Sequence, residues 1–358
     1  MGAAPSQAPK PKSNNTHSNE IPKQLSQRSK TASESSDEQG RFENESEEVV
    51  LKELGSGSYA VIFATIDYDR AIGDPVEQKD IIDKMQASIS ATKVLRNTLN
   101  DEEGYRAQFQ AEIRMLWYLN DNYLEKAGQH GVVRILHPRV GSSPGSWFSM
   151  EMYTGGTLEE LRNLYWKDPP LLGATIPEGF LWHILAELTE TLLALNFGII
   201  NGQESHDQDI MAHYDLHGGN VMLRWPGKTY GNYPDVIITD FGLGIAMDSD
   251  MADKERAEMM YQIQIRDLNH IMEFLWTLMC KSDDNSETLL RVFNALYGVG
   301  KSPENKRMKR RLEIVLKEAK VRRENMYKEL PDAWIQYLSR PTVSDKELET
   351  FLQQSRWT

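Results

Sequence analysis

One cysteine, Cys280, in 358 residues excludes an intramolecular disulfide and fits a reducing cytosol or nucleus. No apolar run approaches the ~20 residues that a spanning helix needs. The first residues lack the charged-then-apolar pattern of a secretory signal. Basic charge is also short. The formal net charge is −13, so no nucleic-acid partner is expected. Large apolar side chains are nearly missing from residues 1–46, which are rich in Ser, Asn, Gln, Lys and Pro. Such a segment buries too little surface to offset its ordering entropy and reads as a disordered tail. Its charge is split, with Lys10, Lys12, Lys23, Arg28 and Lys30 ahead of an acidic block that runs to Glu47 and Glu48. The whole chain is 40% hydrophobic, which supports a substantial core, and the missing spanning run and signal pattern suit a soluble cytoplasmic protein.

The start, Met1-Gly2-Ala3-Ala4-Pro5-Ser6, matches the acceptor pattern for myristoylation at Gly2. An ordinary flexible start is the alternative. One acyl chain holds a membrane only marginally, so weak membrane association through this end would also need the tail's basic residues.

Chemistry concentrates in two stretches, His213-Tyr214-Asp215-Leu216-His217-Gly218-Gly219-Asn220 and Ile238-Thr239-Asp240-Phe241-Gly242-Leu243. Asp215 suits proton abstraction, and Asn220 and Asp240 offer oxygens to a hard cation such as Mg2+. That set suits phosphoryl transfer, where catalysis is mostly positioning and charge neutralisation. Upstream, residues 49–54 read as a strand that turns through Gly55-Ser56-Gly57-Ser58-Tyr59-Ala60 into a second strand at 61–64. Two glycines let backbone N–H groups approach phosphates, although Gly-x-Gly between strands also serves as a plain hairpin. Residues 68–87 read as a polar insertion of no clear type. A strand follows at 88–95, with Lys93 among apolar residues. A helix over 102–120 carries Glu112 beside the stripe of Phe109, Ile113 and Leu116. Taken alone, Lys93 reads as an edge-strand lysine and Glu112 as a solvated helix residue. Together they form the natural pair, because a carboxylate beside a buried stripe is costly without a cation.

Strands are expected at 132–136 and 147–153, then Gly155-Gly156 and a helix. Further on come an apolar helix over 177–197, strands at 221–224 and 235–239, and helices at 255–280, 288–296 and 306–329. Ser344 and Glu347 form a capping box that opens a last helix. The polar run 201–209, with His206, Asp207 and Asp209, reads as a solvated insertion rather than a metal site. The basic cluster Lys306, Arg307, Lys309, Arg310 and Arg311 reads as a solvated helix face, with a phosphate- or acid-binding patch as the alternative.

The order His-x-Asp-Leu-x-x-x-x-Asn, then Asp-Phe-Gly, resembles the catalytic and metal loops of eukaryotic protein kinases. The resemblance covers roughly Leu51 to Leu278. It implies an α+β, two-lobed protein-kinase-like fold, with a β-rich lobe over 47–153 and a mostly helical lobe over 154–358. It implies ATP and Mg2+ as cofactors, with Asp215 as base, Asn220 and Asp240 as metal ligands, and Lys93 held by Glu112. Gly55, Ser56, Gly57, Ser58, Ile62, Ala91, Glu151, Met152 and Met222 would contact the nucleotide, with Met150 as gatekeeper. Asp267 would anchor the catalytic loop through its backbone. The partner would be a protein substrate, phosphorylated on Ser or Thr ahead of Tyr. Ala60 replaces the third glycine, Tyr214 the usual Arg, and His217 the usual Lys. Only 27 residues separate Asp240 from Asp267 (267 − 240), without Ala-Pro-Glu, which is similar to Haspin-like atypical kinases. A small-molecule phosphotransferase and a pseudokinase scaffold are the alternatives.

Overall fold

The computed structural model describes residues 38–39, 42–43, 48–67, 78–96, 102–125, 131–137, 146–166, 175–204, 210–231, 233–247, 254–280, 286–297 and 305–355. Gly2, the His206–Asp209 stretch and most of the tail lie outside them.

The fold is α+β. A five-stranded antiparallel sheet has the order β1-β2-β3-β5-β4, built from β1 (Glu48–Ser56), β2 (Ala60–Asp67), β3 (Ile89–Leu95), β4 (Ile135–His137) and β5 (Trp147–Glu151). The strand expected at 132–136 is shifted. Val132 makes only a bridge to Ile238, and the ladder with β5 starts at Ile135. The insertion expected at 68–87 is in part a helix, α1 (Gln78–Ser88), whose Ile81, Ile82 and Met85 are buried. Three apolar residues on one turn-and-a-half were too few to stand out from the surrounding polar run.

β3 is buried along nearly its whole length because both sheet faces are covered. On one face Ala91 and Leu95 join the main core with Phe109 of α2 (Glu102–Leu119). On the other, Val61, Phe63, Val94 and Trp147 form a second cluster with Phe42. One part of the tail reading is corrected here. Phe42 is fully buried, edge-on to Trp147 at 5.1 Å between centroids. Glu48 is also buried, and its carboxylate accepts from the hydroxyls of Thr65 (2.6 Å), Thr92 (3.2 Å) and Ser149 (3.2 Å). Composition averages hid both residues, since each is a single anchor at the edge of a polar run.

A π-helical turn, Asn120–Glu125, extends α2. Helices dominate thereafter: α3 (Leu158–Trp166), α4 (Glu178–Phe197), α5 (Lys254–Met279), α6 (Glu287–Tyr297), α7 (Asn305–Asn325), α8 (Asp332–Leu338) and α9 (Asp345–Ser355). Short antiparallel pairs lie between α4 and α5: β6 (Ile199–Ile200) with β7 (Gln203–Glu204), β8 (Ile210–Ala212) with β11 (Ile245–Met247), and β9 (Val221–Arg224) with β10 (Asp235–Ile238). α4 is buried around nearly its whole circumference, and its buried Glu178, His183 and Glu187 are hydrogen-bonded. It ends at Gly198, whose φ of 62° caps it in the left-handed conformation. The capping box of α9 forms as expected, with Ser344 N donating to Glu347 Oε2 at 2.7 Å. α9 does not stay with the other helices. Val343, Leu348 and Leu352 pack with Ala64, Ile66, Ile81, Ile82 and Met85 against the sheet.

Candidate active site

The two motif stretches meet because each is tied to the other's backbone. His213 is buried. Its Nε2 lies 2.8 Å from Thr239 O, and its ring packs on Phe241 at 4.7 Å. Thr239 N donates to Asn220 O at 2.9 Å. Burial holds the His213 imidazole below its ordinary pKa, so the neutral ring donates from Nε2 to the Thr239 carbonyl. Asp267, buried on α5, accepts from His213 N (2.9 Å), Tyr214 N (2.8 Å) and Leu216 N (3.4 Å). Those bonds hold Tyr214 at φ 68°, a left-handed value costly for a side chain of its size. Gly218 is needed for a different reason: a Cβ there would sit 2.3 Å from the Phe274 ring.

The second half of the site comes from the sheet and α2. Lys93 is 4% exposed and Glu112 2% exposed. Lys93 Nζ is 2.9 Å from both Glu112 oxygens and 2.7 Å from Asp240 Oδ1. Burial disfavours the ammonium, but the Glu112 and Asp240 carboxylates outweigh it and hold Lys93 charged, above its ordinary pKa. Burial pulls the Asp240 carboxyl upward, but Lys93 overcomes it and leaves Asp240 below its usual range. Asp240 itself adopts φ 62°, which turns its side chain toward Lys93. α2 is latched to the same loop by Gln108 Nε2, which donates to Gly242 O at 2.9 Å.

A cleft of about 560 Å³ opens beside this cluster. Of the sequence candidates, Gly55, Ile62, Ala91, Glu151, Met152, Met222, Asn220 and Asp240 line it, and so does Met150. Ser56, Gly57 and Ser58 are exposed at the loop tip and do not. Arg96 holds that tip instead, with Nη2 on Ser56 Oγ and Nε donating to Gly57 O at 3.2 Å. Asp215 is half-buried, and Asn220 Nδ2 donates to its carbonyl oxygen at 2.9 Å. That bond leaves Asn220 Oδ1 without a partner among the described residues. An amide oxygen and a carboxylate with one committed oxygen are donors suited to Mg2+, so the residues present fit that ion. His217 Nδ1 accepts from Gly219 N at 3.0 Å, which leaves Nε2 protonated, 3.8 Å from Asp215 Oδ2.

Three contributors had escaped the sequence reading. The Tyr59 hydroxyl reaches from the glycine loop to within 3.0 Å of Lys93 Nζ, and 3.4 Å from both Glu112 Oε2 and Asp240 Oδ1. Its ring stacks on Tyr105 at 6.2 Å. An aromatic two residues beyond Gly57 was the available signal. Arg96, three residues after Lys93, had none beyond its position. Arg340, Pro341 and Thr342 line the cleft from the far end of the chain, and nothing local marks them. Scanned against protein-family models and against curated proteins, the chain matches none.

Proposed function

We propose that this chain is an ATP-dependent protein kinase of two-lobed architecture, with the sheet, α1, α2 and α9 in the first lobe and α3–α8 in the second. The observation that carries the reading is the Lys93–Glu112–Asp240 cluster, 2.9 and 2.7 Å across its two contacts, beside a cleft that Asn220 also lines. A buried lysine between two carboxylates contributes little net stability, which favours a binding role for the cluster over a purely structural one.

In this reading the Asp215 carboxylate takes the proton of the acceptor hydroxyl as that oxygen bonds to the γ-phosphorus. The bond from that phosphorus to the β–γ bridging oxygen breaks, and ADP leaves with the electron pair. Lys93 supplies positive charge to the phosphates, and Glu112 fixes where that charge sits. Mg2+, held by Asn220 Oδ1 and Asp240, would neutralise phosphate charge. His217 Nε2–H, beside Asp215, is placed to orient the carboxylate and the incoming hydroxyl. The retention of all these groups favours an enzyme over a scaffold, which needs none of them.

The test is phosphate transfer from labelled ATP to a peptide library, run beside a panel of small alcohols. Transfer to peptides, reduced at least about 10²-fold by Asp215→Asn, is the expected result. Transfer to alcohols alone would assign a small-molecule phosphotransferase, and no transfer to either would overturn the enzyme reading.

A further inference from the structure

Late in its course the chain passes between the helices and the sheet again, close to where β5 leads into α3. That earlier crossing, residues 152–157, is tied to β9: Gly155 N donates to Leu223 O at 3.0 Å, and Leu223 N to Gly156 O at 2.9 Å. The later one joins α8 to α9. α8 belongs to the helices, since Trp334 packs edge-on against Phe180 of α4 at 5.1 Å and Leu338 is fully buried in the main core. The α9 end belongs to the sheet through Val343, Leu348 and Leu352.

This second connection is short and held at each end. Only Ser339, Arg340, Pro341 and Thr342 lie between the buried Leu338 and Val343. Five residue steps (343 − 338) span at most ~18 Å even when fully extended. Pro341 fixes its own φ and restricts Arg340, which removes backbone freedom. Thr154 Oγ1 donates to Leu338 O at 3.3 Å, which joins this strap to the earlier crossing. At the other end Gln86 Nε2 donates to Val343 O at 2.6 Å. Lys52 of β1 holds the same end, with Nζ 3.3 Å from Thr342 O and 3.4 Å from Glu347 Oε1. Between these anchors Arg340, Pro341 and Thr342 line the cleft, together with Lys52 and Thr154.

A covalent crossing differs in kind from a side-chain contact. Lys93 with Asp240, and Gln108 with Gly242, are contacts that part and re-form as a cleft opens and closes. Four residues between two buried anchors yield only as far as their own extension allows. Further opening would strip Val343, Leu348 and Leu352 from the sheet and expose their apolar surface to water.

We infer that residues 339–342 are a second tether between the lobes, which limits how far the cleft opens at its Lys52–Thr154 end and slows the escape of a bound nucleotide. This rests on the two-lobed, nucleotide-binding reading above and adds to it a control on opening. α9 thereby takes part in the site through the sheet it packs on and the strap it holds.

The experiment uses the full chain with Cys280→Ser and spin labels at Asp83→Cys on α1 and Gln336→Cys on α8, all exposed positions. Label distances are compared between the natural strap and one lengthened after Arg340 by a flexible Gly-Gly-Ser-Gly insert. The natural strap should give one narrow distance distribution, and the lengthened strap a broader one that reaches longer distances. Bound ATP should leave the lengthened chain at least about fivefold faster, because opening steps set release from such clefts. Should the lengthened chain fail to fold, Pro341→Gly takes its place in both measurements, since it keeps the length and frees the backbone. Equal distributions, or ATP dissociation within about twofold of the natural strap, would overturn the inference. A chain that binds no ATP would remove the kinase reading, and the label distances alone would then decide the tether.

Discussion

At the scale of single residues, the site is a contest for Lys93. Glu112 and Asp240 hold its charge, and the Tyr59 hydroxyl takes up a further donor at 3.0 Å. A phosphate that approaches Lys93 must displace that hydroxyl. Tyr59→Phe keeps the ring on Tyr105 and removes only the competing oxygen. Nucleotide affinity should therefore rise by roughly three- to tenfold, since a hydrogen bond to a charged group is worth about 1.5–3 kcal/mol before solvent exposure weakens it. Calorimetric titration reads this directly, and an unchanged or weaker affinity would show that Tyr59 does not compete. Asp240→Asn tests the opposite face of the cluster. An amide cannot neutralise a cation, so the magnesium-dependent part of nucleotide affinity should fall at least tenfold while the fold persists. Equal magnesium dependence in wild type and variant would remove Asp240 from the metal site.

At the scale of elements, α4 and α7 are joined by a buried polar knot. His183 Nε2 donates to Pro234 O at 2.8 Å, Arg323 Nη1 approaches its Nδ1 at 3.4 Å, and Arg323 also reaches Glu187 at 3.0 Å. The approach of the Arg323 guanidinium to Nδ1 requires neutral imidazole, since only an unprotonated ring nitrogen can accept. Burial accordingly depresses the His183 pKa from 6.5 to about 3. The unfolded chain takes up this proton first, so the stability that the depressed pKa contributes is present above about 6.5 and lost as pH falls toward about 3. The expected loss between pH 7 and pH 5 is about 2 kcal/mol from this group, at ~1.4 kcal/mol per unit, and His213 adds in the same direction. Burial pushes the Glu187 carboxyl in the same knot up to about 7, which acts in the opposite direction, so the denaturant midpoints across that range carry the His183 slope as a difference between wild type and a His183 variant. His183→Gln, which can still donate to Pro234, should flatten it; an unaltered slope would assign the acid sensitivity elsewhere.

At the scale of the whole molecule, the sheet is stabilised by a helix from the other end of the chain. Leu348 of α9 is fully buried with Ile66 and Met85. Leu348→Ala should cost about 2–5 kcal/mol, the range for deleting buried leucine methyls into a cavity. The same change should loosen the segment 340–342 that lines the cleft and weaken nucleotide binding, which a surface change such as Lys346→Ala should not do. A Leu348→Ala chain with wild-type unfolding midpoint would mean that α9 is an accessory to the sheet rather than part of its core.

Long periodic runs and local chemistry were open to reading in the sequence alone. The apolar spacing marks α2, α4 and α5 within a residue or two, and Ser344 with Glu347 opens α9, because period and capping act over a few neighbouring residues. Residue types also set the candidate chemistry at Asp215, Asn220, Asp240, Lys93 and Glu112, since proton abstraction and cation binding belong to side chains wherever they sit. Whether those five share one place was decided in three dimensions, by Asp267 gathering the 213–216 backbone and by Lys93 bridging the sheet to α2 and Asp240. Phe42, Glu48, Tyr59 and Arg340 were invisible beforehand for one physical reason. Each gains its role from a partner far off in the chain, and burial or proximity of that kind leaves no mark on the residues next door.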